Sequence, residues 1–97
     1  MIAQASLICS ANRALQGRIS DAIRAVAVVA NANTLDVHFI VDGPISAEDQ
    51  KEAGCVATEM CADFPHVTKC NDYVSRVDTP NRIAYPEGAL LVFRRRE

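Results

Sequence analysis

The chain has 97 residues, of which 49% are hydrophobic and 23% charged, and a formal net charge of −2. That length predicts one domain over residues 1–97 with a core that needs no staples, and the composition excludes long disordered segments. Leaving out Arg94, Arg95, Arg96 and Glu97, the body carries 7 basic against 11 acidic groups, which argues against nucleic acid as the main partner.

Residues 2–16 read as a helix. Ala3, Leu7, Ile8, Ala11, Ala14 and Leu15 recur at three- and four-residue spacing on one face. Gly17 is placed to end that helix in a left-handed conformation. Ile23–Ala30 and Thr34–Val41 are β-branched, alternating runs on either side of Asn31, Ala32 and Asn33, a turn in which Asn tolerates positive φ. Pairing Ala30 with Leu35 sets Val28 against Val37 and Val26 against Phe39, which gathers the large side chains on one face. A slip of one residue would set Val26 against His38. The other face then carries Ala25, Ala27, Val29 and Ile40 beside Asp36, His38 and Asp42.

Asp42, Gly43 and Pro44 stop the second strand. Ser46 is a good helix N-cap, and Asp49 imitates a capping box with a shorter arm. The helix it opens runs to about residue 63 or 64, because Pro65 disfavours helix at the position before it. Ala53, Val56, Ala57, Met60 and Phe64 form its buried stripe. Glu48, Glu52, Glu59 and Asp63 make a neighbouring acidic stripe, within roughly 60° of one another at about 100° per residue. Residues 67–77 suit an edge strand, where charge blunts further pairing. Residues 78–88 form a loop marked by Pro and Gly. Residues 89–95 are apolar on both faces, as in a central strand. The order α-β-β-α-β-β predicts an α+β fold, a four-stranded mostly antiparallel sheet with two helices packed on one face and strands ordered 2-1-4-3.

The four cysteines, Cys9, Cys55, Cys61 and Cys70, include no Cys-x-x-Cys pair and no metal-ligand spacing. No signal-like segment accompanies them, so they read as reduced thiols of a cytoplasmic protein. There is no apolar run of about 20 residues to span a membrane. Neither a cofactor nor a metal is expected.

No catalytic motif stands out. His38 and Asp36 project from one strand face and would suit a general base, yet no nucleophile accompanies them. With Tyr73 they define the alternative reading, a small-molecule binding or hydrolytic module with a pocket between sheet and helices. Glu59 and Asp63 would supply half of a divalent cation site, short of the oxygen ligands it needs. The acidic stripe Glu48, Glu52, Glu59 and Asp63 is the stronger binding candidate, a docking surface for a basic partner. Its bland counterpart is a solvated helix face. The apolar face of Ala25, Ala27, Val29 and Ile40, if left uncovered, predicts a homodimer. Arg94–Arg96 read as a solvated strand end, with nucleic-acid binding as the minor alternative.

Several segments carry a resemblance: Arg13 to Gly17, Ile23 to Val26, Asp42 to Asp49, Thr58-Glu59 followed by Ala62 to Pro65, and the closing Val92 to Glu97. In these the chain resembles a group of small uncharacterised bacterial α+β proteins that look like products of mobile or accessory genes. Some of these resemble immunity partners of secreted toxins. The chain departs from them at Met60-Cys61 and in its long 79–88 loop. The resemblance implies a binder of a protein partner and carries no catalytic residues.

Overall fold

A computed structural model describes residues 2–97. The elements run α1 (Gln4–Leu15), β1 (Ile23–Ala30), β2 (Thr34–Val41), α2 (Ala47–Ala62), β3 (Lys69–Arg76) and β4 (Leu90–Arg94). This is the α+β order the sequence predicts. The sheet is mixed: β1 pairs antiparallel with β2 and with β4, while β2 and β3 are parallel.

The β1–β2 register is the expected one, with Ala30 opposite Leu35, Val28 opposite Val37 and Val26 opposite Phe39. The hairpin closes through the Asn31 amide donating to the Thr34 carbonyl at 3.0 Å. No described non-glycine residue has positive φ, so the turn does not use the tolerance of Asn for it. Gly17, at φ +75°, does end α1 in the left-handed region. Ser46 caps α2 by accepting from the Asp49 amide at 3.0 Å. The Asp49 carboxylate does not reach back to complete a capping box. It is buried and accepts from Ser20 Oγ at 3.2 Å instead.

The core lies between the helices and one sheet face. Val26, Val28, Leu35, Val37, Phe39 and Val41 meet Leu7, Ala11, Ala14 and Leu15 of α1 and Ala53, Val56, Ala57 and Met60 of α2, with Phe64 closing the end. The whole expected stripe of α2 is buried. On α1 the stripe is shifted: Ile8 is 37% exposed, whereas Ser10 turns inward.

Strand order is a correction. The sheet runs β3-β2-β1-β4, not 2-1-4-3, so β4 is an edge strand and β3 holds the opposite edge beside β2. The connection lengths allow this order. The α2 segment is long enough to return the chain parallel to β2, as any parallel neighbour requires. β4 is then parallel to β3 through the chain of pairings, and residues 77–89 must cross the sheet to reach it. The two crossovers run in opposite directions across the sheet. If they share the usual right-handed sense, they must pass over opposite faces. The helix takes one face and the loop the other.

The second face is less open than expected from the sequence. Ala25 and Ala27 are fully buried and Ile40 is 5% exposed within a single chain, while Val29 is half-buried. Three of the four residues expected to form a dimer face are therefore already covered.

The cysteine expectation is also corrected. Cys61 at the end of α2 and Cys70 in β3 form a disulfide, with Cα atoms 6.4 Å apart, inside the usual span for such a bond. Cys9 is a free exposed thiol and Cys55 a half-buried one.

Candidate functional site

The acidic stripe of α2 lies beside α1 and the connector after it. Arg18, held by donating from Nη1 to the Ala14 carbonyl at 2.9 Å, pairs through Nε with Glu52 at 2.9 Å and through Nη1 with Glu59. Arg13 pairs with Asp63, which also accepts from Ser10 Oγ at 2.7 Å. The Ser10 hydroxyl, and after it the Arg13 guanidinium, hold the Asp63 carboxyl below its ordinary value. Three of the four carboxylates thus tie α2 to the α1 side of the molecule. Glu48 is exposed and, among the described residues, takes part in no ion pair. The stripe is a ridge of mixed charge rather than a purely acidic surface.

His38 and Tyr73 stack, their ring centroids 4.8 Å apart and their planes 18° from parallel. Asp36 accepts from Asn71 Nδ2 at 2.8 Å rather than from His38. All of these stand on the sheet face opposite the helices, so they line no space between sheet and helices. Among the described residues, no group of three or more His, Cys, Asp or Glu side chains converges to hold a metal. Glu59 and Asp63 are engaged by different arginines and do not form half a cation site together.

The feature that the sequence reading passed over is built around Arg24. It is a single charge inside the apolar run of β1, at an irregularity in the β1–β2 register between Ile23 and Ala25. It is 5% exposed and every nitrogen is used. Nε and Nη2 donate to Glu97 at 2.7 and 2.8 Å, and Nη1 donates to the carbonyls of Val77 and Asn81 at 2.8 and 2.9 Å. This fork fixes the first turn of the crossing loop to the C-terminus, the geometry for which a guanidinium is suited. Neighbouring bonds secure the same corner. Asp78 accepts from Arg76 and from the Gly43 amide, and Asp42 accepts from Thr79 Oγ1 at 2.8 Å and Arg95 Nη2 at 3.1 Å.

These contacts are reflected in ionisation. The Arg24 fork holds Glu97 down at about 2, and Arg76 with the Gly43 amide holds Asp78 down at about 2. The Thr79 hydroxyl, then Arg95, lower Asp42.

Above the anchor the loop and β4 enclose a hollow of about 480 Å³, lined in part by Arg82, Ile83 and Tyr85 of the loop and by Leu91 and Arg94 of β4. Leu91 lies opposite Ala27 and Arg94 opposite Ala25, which places both on the loop-covered face. One signal in the sequence pointed here. A charge in the middle of a buried strand has to be paired, so Arg24 called for partners from another part of the chain.

No helix among the described residues is long and apolar enough to cross a membrane. No curated protein matches the chain. The family model of the MafI2 immunity protein matches residues 4–97, from the first turn of α1 through β4 to the terminal Glu97 that holds Arg24. The chain belongs to the MafI2 immunity protein family.

Proposed function

We propose that the protein neutralises a protein toxin by binding it directly and covering a surface the toxin needs. The observation that carries this reading is the family match, which spans residues 4–97 and so takes in both helices and all four strands. The rigid, densely bonded fold supports it, since a preorganised surface loses little entropy on binding.

The first candidate contact is the α2 ridge of Glu48, Glu52, Glu59 and Asp63. Exposed Glu48 and Glu59 would face a basic toxin surface, although Arg13 and Arg18 offset much of the field. The expectation of a cytoplasmic protein rested on the lack of a signal-like segment, and reduced thiols followed from it. The Cys61–Cys70 bond departs from the second part of that expectation. Of the residues Ala25, Ala27, Val29 and Ile40 expected to form a homodimer face, three are buried within one chain, so we take the single chain as the binding unit.

Co-expression with each candidate toxin domain from the genome that carries this gene tests the function. Growth should be restored against one of them. Failure to relieve any would reject the immunity reading. Replacing Glu48 and Glu59 by Lys tests the ridge, and undiminished protection would remove the ridge from the contact.

A further inference from the structure

We infer that the hollow between the crossing loop and β4 is an anchoring site for an acidic, partly apolar segment of a protein partner. This inference rests on the immunity reading for the identity of that partner as a toxin.

Charge is the first reason. Arg82 and Arg94 line the hollow, both are exposed, and among the described residues neither takes part in an ion pair. Arg24 and Arg95 are engaged with Glu97, Arg95 also with Asp42, and Arg76 with Asp78, while Arg96 is exposed and does not line the hollow. Two guanidiniums that line the hollow without an ion pair are suited to carboxylates brought by another molecule.

Apolar surface is the second. Tyr85 is 38% exposed and Leu91 41% exposed, and they share the hollow with half-buried Ile83. Tyrosine and arginine are the residue types that carry most binding energy at interfaces. Here they occur together in a concave site of a volume typical of binding pockets.

Rigidity is the third. The loop is held at its base by the Arg24 fork on Val77 and Asn81 and by Asp42 on Thr79. The hollow is therefore shaped before any partner arrives, which lowers the cost of binding.

A nucleic-acid ligand would use the same arginines. The hollow is also lined by Glu97, and the chain has a net charge of −2, so phosphate neutralisation over an extended face is not available. The apolar wall favours a peptide.

The test uses the double variant Arg82→Glu, Arg94→Glu in the full chain. Neither residue supports the fold through an ion pair, so the thermal midpoint should be unchanged. Toxin affinity should fall about a hundredfold, as expected for loss of two interface anchors. An affinity within about twofold of the parent, a change smaller than the loss of one ordinary hot spot, would overturn the inference. Protection by the parent together with equal protection by the double variant would defeat the hollow and leave the immunity reading standing. No protection by the parent would defeat the immunity reading. An independent arm needs no toxin. An acetylated peptide of alternating glutamate and leucine, titrated into isotope-labelled protein, should shift the amides of Ile83, Tyr85 and Leu91, and the double variant should lose those shifts. Absence of shifts at millimolar peptide would overturn the inference. So would binding of a single-stranded oligonucleotide at the hollow in place of the peptide.

Discussion

Arg24 shows how one side chain can organise a surface. Placed in a strand whose neighbours are all buried, its guanidinium must find acceptors, because an unpaired buried charge is far costlier than a paired one. It finds them in Glu97 and two loop carbonyls. The depressed Glu97 and Asp78 carboxyls set a pH dependence. A carboxylate held at about 2 in the folded chain, against its ordinary 4.5 for Glu97 or 3.8 for Asp78, stabilises the fold fully above the ordinary value. That contribution drains away as pH falls from about 4.5 towards about 2. Thermal midpoints measured across this window should fall for the parent and fall less steeply for Glu97→Gln, which has already lost the pairing. Equal slopes would show that the Arg24–Glu97 contact is not formed in solution. The cysteines give a second prediction at this scale. Alkylation of the unreduced protein after unfolding should modify Cys9 and Cys55 only, with Cys61 and Cys70 reacting once reduced. Four labels without reductant, read by mass spectrometry, would rule out the bond.

Among the elements, the β1–β2 hairpin was the most legible from sequence. Its period-two pattern gave the register because a slip would have moved Phe39 and its neighbours off the core. The buried stripe of α2 was equally readable from its 3.6-residue period. β4 was misplaced for an instructive reason. Its apolar residues do serve both faces, Leu90, Val92 and Phe93 against the core and Leu91 in the hollow, which imitates a central strand. Local pattern reports burial, not which strand lies alongside. The acidic side chains were legible as a stripe but their partners were not, since Arg13 and Arg18 reach them only through tertiary packing of α1 on α2. Phe39, fully buried at the centre of the core, should cost about 3–5 kcal/mol when changed to Ala, whereas Ile8→Ala on the exposed side of α1 should cost under about 1 kcal/mol. Urea unfolding of both variants measures this. Comparable losses would mean that α1 packs in another rotation.

At the scale of the whole molecule, the helices cover one sheet face and the crossing loop covers part of the other. Ala25, Ala27 and Ile40 of the second face are buried within the single chain. The loop was visible in the sequence as a Pro- and Gly-marked stretch. What it covers was not, because that depends on strand order and crossover direction. Sedimentation at high micromolar concentration should give the monomer mass of 10.5 kDa. A stable dimer would contradict the single chain as the binding unit. The claim that matters most is direct toxin binding by this single chain, and a calorimetric titration of the purified toxin domain identified by growth rescue examines it without intermediaries. One-to-one binding with a negative heat-capacity change is predicted, the mark of apolar surface buried at an interface. Growth rescue with no heat of binding and no complex in solution would contradict it.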